Sequence, residues 1–460
     1  MSSLSALSNI GQSALMAQEA AMQVTGQNIA NAQTPGYSRQ TIALQASTPE
    51  NTPNGVFGTG VSITAISRDR DALLDQQYRT QSAPASGFQE RSTLLGQIQD
   101  VYGEPSTTGL ANTMDNFFNS WSELASNPAD ASAKAVVQQA GAQLASTFNT
   151  YVTQLSNIAA NTRTGISNSI AQVNTVASQI AAVNQQIVAA SSSGASPNDL
   201  MDQRDTMLDQ LSQLVPISVS SNKDGSDQVN IGGIQIVNGT ATQSLALSAS
   251  LTITTSTGDA LRSLGGQIGA MLAVLNTDLP AAQSGLDTLA ASIVSTVNAE
   301  YANGAPAGAP IEFFAGTSPK GTSPTAQSMC LSGTVAADSS AIVTSRNGSG
   351  AGDNTVALAI AALQTSSTAV AGPPSNSFSG AYSSLVTTVA NAKNASDSST
   401  TVYQALQQQA DTQRQSVSGV NTDEELTQMI QLQQSYVAAS KLIQTIQAMS
   451  TALLSIAPAS

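Results

Sequence analysis

The 460-residue chain contains no histidine and a single cysteine, Cys330. These absences remove His-based zinc sites, cysteine clusters, Ser-His-Asp and Cys-His catalysis, and any intramolecular disulfide. The thiol stands in Ser328-Met329-Cys330-Leu331, where no base accompanies it, so it reads as a small half-buried hydrophobe. Aromatic residues make up only 4% of the chain and charged residues 10%. A core must therefore be built mainly from small aliphatic side chains, which suits long helices packed closely together. Cations are scarce, 15 against 29 acidic groups for a net charge of -14, and they form no stripe. Nucleic acid is excluded as a partner on that ground, because neutralising phosphates needs clustered Lys and Arg. The acidic groups are dispersed and read as a solvated surface. No apolar run approaches a membrane span, and Met1 to Ser13 has neither a positive leader nor a continuous apolar core. The expectation is a chain without membrane insertion and without a cleaved secretory signal.

What is present concentrates at the two ends. Between Met1 and Ser38 the only charged side chain is Glu19, and Leu7, Ile10, Ala14, Ala17, Ala21 and Val24 recur at alternating spacings of three and four. That is a narrow helical seam of small residues. Near the other end Met429, Leu432, Tyr436, Ala439, Ile443, Ile446 and Leu453 follow a heptad seam, and Lys441 is the only charge after Glu425. Asn421 or Thr422 can cap this helix, and Asp423, Glu424 and Glu425 fall in its first turn, where the helix dipole favours negative charge. A helix running unbroken from Thr401 to Ile456 would span on the order of 80 Å at ~1.5 Å per residue. Such a helix needs a partner, and its off-seam positions are Gln, Ser, Thr and Ala rather than Lys and Glu. Two arrangements fit the periodicity equally. Either the terminal helices pair, antiparallel or parallel, and many copies pack side by side into a tube, or a plain helix hairpin closes a monomer.

Between the ends, helical patterns run from Arg68 to about Val215. The period then shortens to two in Ile217-Ser218-Val219, Val229-Asn230-Ile231 and Ile234-Gln235-Ile236-Val237, with Asp224-Gly225 and Asn238-Gly239 as turns. The expected fold is mainly α: an elongated multi-domain chain with paired coiled-coil-like terminal helices, a long-helix bundle and a small β-rich insertion. Its expected parts are a discontinuous terminal-helix domain (1–65 plus 400–460) and a helical bundle (66–215, 259–302 and 351–399). A β insertion (216–258) and an irregular Pro/Gly-rich outer segment (303–350) complete it.

After the first seam comes Thr25-Gly26-Gln27-Asn28-Ile29-Ala30-Asn31-Ala32-Gln33-Thr34-Pro35-Gly36-Tyr37-Ser38-Arg39-Gln40. Pro35 and Gly36 supply a turn that ends the helix, and Asn28 and Asn31 can satisfy its last backbone groups. The whole string closely resembles the signature of the flagellar axial proteins of rod and hook, and its Thr34 to Gln40 portion is similar to the hook-associated branch. Asn28, Asn31, Thr34, Pro35, Gly36 and Tyr37 are the signature-turn residues on that resemblance. It continues in Gly58 to Ile63, in Arg68, Asp71 and Leu74 to Arg79, in Phe117-Phe118 and Trp121, and in Ser418-Gly419-Val420-Asn421 with Asp423 to Glu425. The segment from about Ala305 to Gly350 matches poorly and is short for the family.

The resemblance implies an extracellular structural part of the bacterial flagellum at the junction of hook and filament, with no cofactor, metal or enzymatic activity. It implies self-association into a ring, with the hook protein on one side and a second junction protein on the other. Export without a cleaved signal through the flagellar type III apparatus is implied as well, with a cytoplasmic chaperone at the C-terminal helix. A hook or rod subunit is the alternative, and an enzyme a remote one. The best catalytic fragment, Ser220-Ser221-Asn222-Lys223, matches Ser-x-x-Lys but enters a hairpin turn where a helical turn is needed.

Overall fold

The structure is a computed structural model that describes residues 2–52, 55–104, 106, 108–262, 264–305, 311–315, 324–350, 352–367, 370 and 376–456. The fold is mainly α with a small strand-rich insertion, as the periodicities predict. Two compact units are present: Met1–Ala85 with Ile170–Gly266 and Val402–Ser460, and Ser86–Ser169 with Gln267–Thr401.

The first unit begins with α1 (Ser2–Asn31), followed by β1 (Gln40–Ala46), β2 (Glu50–Thr52), β3 (Gly55–Phe57) and β4 (Val61–Arg68). β1 pairs antiparallel with β4, Gln40 opposite Arg68 and Ala46 opposite Val61, with a bulge between Ala43 and Leu44, and β2 pairs with β3. Together they make one two-stranded arm that the sequence analysis did not anticipate. The alternation in Thr41-Ile42-Ala43-Leu44 and Val61-Ser62-Ile63 was its signal. Helices α2 (Ala72–Tyr102), α3 (Leu110–Ser126), α4 (Ala131–Ser192) and α5 (Asn198–Leu214) follow.

The expected β segment is a four-stranded antiparallel meander, β5 (Ile217–Ser221), β6 (Asp227–Ile231), β7 (Ile234–Asn238) and β8 (Ala241–Thr242), plus the hairpin β9 (Leu245–Leu247) and β10 (Ile253–Thr255). It belongs to the first unit rather than standing apart. Polar anchoring explains this: Asn184 of α4 donates to the carbonyls of Asp227 and Gly239, and buried Arg204 of α5 pairs with Asp227 at 2.8 Å.

In the second unit α6 (Gly266–Ala273) passes through one wide π turn, Val274–Asp278, into α7 (Leu279–Ala302). Pro280 sits in the first turn of α7, and the Leu279 N–H reaches back five residues to Val274. The wide turn accommodates a proline that a regular helix interior would reject. Next come α8 (Gly333–Ala337), α9 (Thr355–Ala362), α10 (Phe378–Ser418) and α11 (Thr422–Ile456).

Three expectations need correction. The segment 303–350, read as irregular outer chain, is irregular but folded inward where it is described. Phe313, Phe314, Met329, Val335 and Ile342 are all buried. The two phenylalanines join Phe117, Trp121 and Tyr301 in an aromatic core. Cys330 is exposed rather than half-buried. The helix expected from Thr401 to Ile456 is broken at 419–421, where a Cβ on Gly419 would lie 2.4 Å from the Gln415 carbonyl oxygen.

Candidate assembly interface

Helices α1 and α11 lie side by side and antiparallel. A Cβ on Gly11 would lie 2.8 Å from Ile443 Cγ1, one on Gly26 would lie 3.8 Å from Met429 Cε, and Asn28 reaches Glu425. Rising numbers on one helix meet falling numbers on the other. Small residues permit this approach. Ala17, Ala21 and Val24 are buried in the seam, Ile10 and Ala14 are half-buried, and Leu7 is exposed. On α11 Ile446 is buried, Met429, Leu432, Ala439 and Ile443 are half-buried, and Tyr436 is exposed. The side chain of Leu453 lies outside the described residues.

The close contact at Gly11 gives a direct expectation. Gly11→Val should destabilise the helix pair by about 1–3 kcal/mol through overpacking, read from the thermal melt of the purified chain. Ile443→Ala in the same chain should recover part of the loss. An unchanged melt for Gly11→Val alone would refute the seam contact.

At the end of α1 the signature turn forms as the residue types require. Asn31 donates to the Gln27 carbonyl at 3.1 Å, satisfying a last-turn acceptor, and the Tyr37 N–H donates to the Thr34 carbonyl. Gly36 has φ +82°, and a Cβ there would lie 2.3 Å from Thr206 Oγ1, so only glycine fits. Gln33, Thr34, Pro35 and Gly36 are exposed, with a cleft on either side: Asp199, Gln203 and Thr206 line one, Gln415, Val417 and Asn421 the other.

Asn28 does not cap the helix as expected. Its amide instead bridges three elements: Nδ2 donates to the Gln40 carbonyl at 2.9 Å and to Glu425 Oε2 at 3.1 Å, while Oδ1 accepts from Gln40 N and from the Tyr37 hydroxyl. Burial, then the carboxylates of Asp199, Asp202 and Glu425, push the Tyr37 hydroxyl up to about 12, so it remains a donor.

The acidic first turn of α11 does more than offset a dipole. Asn421 caps it by accepting from the Asp423 N–H at 3.1 Å. Glu425 is buried and accepts from Arg39 Nε at 2.8 Å, and the Arg39 N–H donates to the Ser418 carbonyl at the helix break. The chain after the signature turn is thus clamped to the start of α11 through both backbone and side chain.

Around this clamp the acidic groups are not the solvated surface that their dispersion predicts. α5 carries Asp199, Asp202, Asp205 and Asp209 at spacings of three, three and four, hence on one face. Arg68 Nη1 lies 2.7 Å from Asp202 and 2.8 Å from Asp205, and Arg79 lies 3.2 Å from Asp205 and 2.7 Å from Asp209. Arg70 pairs with Asp75 at 2.7 Å and Asp205 at 3.4 Å, and Arg414 pairs with Asp209 at 2.5 Å while stacking 4.1 Å over the Tyr78 ring. Burial alone would raise the Asp205 carboxyl, but Arg70, Arg79 and Arg68 more than reverse this and hold it below its ordinary value. Asp227 is raised by burial, which Arg204 only partly offsets. Among the described residues no group of acidic, Cys or His side chains is arranged to hold a metal ion.

A pH expectation follows from Asp205. Because its pKa is lowered on folding, the unfolded chain binds the proton more tightly. The stability it supplies is full above the ordinary carboxylate value and is lost as pH falls below about 4. Asp227 has the opposite sign but one ion pair, to Arg204, against three for Asp205. Acid titration should therefore loosen the first unit below about pH 4, read as faster amide exchange in α5 and α11. Protection unchanged down to pH 3 would count against the clamp.

The fold is matched by a known structure, and the sequence by known families. A solved structure titled the flagellar hook junction protein FlgK from Burkholderia pseudomallei superposes with TM-score 0.65 at 20% identity, over 75% of this chain and 100% of that one. The family model described as flagellar hook-associated protein FlgK helical domain matches residues 95–311. The chain is similar to the flagellar hook-associated proteins over nearly its whole length. The ends match two rod families, the flagella basal body rod protein at residues 9–37 and the FlgEFG C-terminal model at 412–456. The hook-associated protein 1 of Bacillus subtilis is 38% identical over 221 residues, 46% of this chain and 44% of that protein. Hook-associated protein 1 of Escherichia coli is 27% identical over 549 residues, 98% of this chain and 100% of that one. The rod-type matches fall on α1 and α11, and the hook-associated match runs from within α2 to just beyond α7.

Sequence reasoning placed Glu425 in a first turn but missed its burial, and it missed Asp202, Asp205 and the bridging role of Asn28. The Asp stripe on α5 and the cations at 68, 70 and 79 were legible signals. What was not legible was that the fold brings them together.

Proposed function

We propose that the chain is a structural subunit of the bacterial flagellum at the hook–filament junction, where copies pack their α1/α11 pairs side by side around the axis. One observation carries this. Beyond its seam α11 exposes Leu426, Ile430 and Val437 along one line and Leu442 and Met449 along another, with Lys441 the only cation among them. A solitary solvated helix pair carries charge at such flanks. A hairpin that merely closed a monomer would leave both lines in water, whereas neighbours on either side cover them.

The hook-associated names of the relatives support placement at the hook, and the rod-type ends support a shared axial packing mode. The hook protein on one side and a second junction protein on the other are the partners proposed. A subunit awaiting assembly has the same uncovered lines, so α11 is the segment for a cytoplasmic chaperone to hold before export as an unfolded chain. A lone cysteine, which cannot form an internal disulfide, suits that route. No covalent chemistry is required. The one fragment with a catalytic spacing has Ser220 exposed on β5 and Lys223 exposed in a turn.

Deletion of the gene, followed by electron microscopy and assay of the medium for filament protein, tests this role. Intact hooks without filaments, and filament subunits shed to the medium, are expected. Normal filaments would refute the role, and absent hooks would move the chain inward to a hook or rod function.

A further inference from the structure

The two-stranded arm that follows the signature turn is ordered but poorly covered. It touches α1 at the outer end of the β1/β4 ladder, where a Cβ on Gly60 would lie 2.2 Å from Ser13 Oγ, and Val61 N–H donates to the same hydroxyl. Nearer the base Leu44 and Ile63, directly opposite each other and so on one face, are 45% and 42% exposed, and near the tip Val56 and Phe57 are 67% and 55% exposed. An isolated two-stranded ribbon is marginal in water, and exposed apolar ribbon faces and edges invite pairing. The arm is therefore built to be covered by something outside its own unit.

We infer that the arm of one copy docks on the line Leu426, Ile430 and Val437 of α11 in a second copy, Glu50 facing Lys441. The chain's charges argue for that occupant. Between Arg39 and Arg68 the only charged side chain is Glu50, and beyond Glu425 the only one is Lys441. Each uncovered apolar surface thus carries one charge, of opposite sign to the other, and each is extended and otherwise uncharged. Both surfaces stand on the first unit. Joining unlike patches of identical chains makes a heterologous contact, which propagates from copy to copy into a ring or helix. The contact rests on the proposed assembly role and adds which surface meets which.

The test uses flagella from cells expressing the full chain with Cys330→Ser, which removes its one native thiol, together with Glu50→Cys and Lys441→Cys. Oxidation of isolated hook–filament structures should give a ladder of chain multimers on a non-reducing gel, and neither cysteine alone should ladder. A faster-running monomer would mean that the arm covers its own α11, and unchanged monomer would mean that it faces another surface. Either result overturns the contact while leaving the junction role intact. Absence of the Cys330→Ser chain from the hook–filament structures would instead overturn the role and the contact with it.

Discussion

Asp205→Ala is expected to destabilise the first unit by about 3–5 kcal/mol, the largest loss for any single polar substitution in it. Three guanidiniums, those of Arg68, Arg70 and Arg79, converge on this one buried carboxylate. Truncation leaves them partly buried with less compensation and removes the acceptor without removing the donors. Leaving a charge buried and unpaired costs more than the pair contributed. Asp205→Asn keeps the shape and two polar atoms but not the charge, and it should fall between. Native-state hydrogen exchange measures this best, because α5 and α11 report on the unit locally. A loss under about 1 kcal/mol, the range of an exposed pair, would mean that the cluster is solvated.

Phe313→Ala should be as severe in the second unit, at about 3–5 kcal/mol. The ring is fully buried, with centroids 4.9 Å from Phe314, 5.2 Å from Trp121, and 5.7 Å from both Phe117 and Tyr301. It also seats on the backbone of α4, since a Cβ on Gly141 would lie 2.8 Å from Phe313 Cε1. Removing it opens a cavity that four other rings and a helix backbone cannot easily close. Trp121 is the only tryptophan of the chain, so its fluorescence in a denaturant titration reads this core alone. A midpoint unchanged from wild type would show that segment 311–315 is peripheral after all.

These two sites mark the limits of what the sequence shows. Period and spacing identified the terminal seams, because a helix paired along its length repeats one environment every turn. Ala17, Ala21 and Ile446 lie where their spacing places them. The β meander was legible for the same reason, alternation with Asp-Gly and Asn-Gly turns. Phe313 and Phe314 could not be placed, since two adjacent rings in Pro/Gly-rich chain have no period, and their burial depends on α3 and α7 approaching from far along the sequence. The charge cluster failed differently. Asp199, Asp202, Asp205 and Asp209 have a helical spacing, but a charged stripe is ordinarily a solvated face. Only the fold shows that Arg68, Arg70, Arg79 and Arg414 are delivered to it. The role of Gly419 appears only when Arg39 is seen docking at the break.

The seam at Gly11 and Ile443 has a consequence for how such chains can be recombined. A glycine at one position and a β-branched side chain opposite form a lock of complementary volumes, shared between the first and the last parts of the gene. A chimera that takes only one terminal segment from a relative inherits half of each lock and should assemble poorly, even where both parents work. Exchanging both terminal segments together keeps every lock intact, so the two ends behave as one heritable module separated by the whole length of the chain.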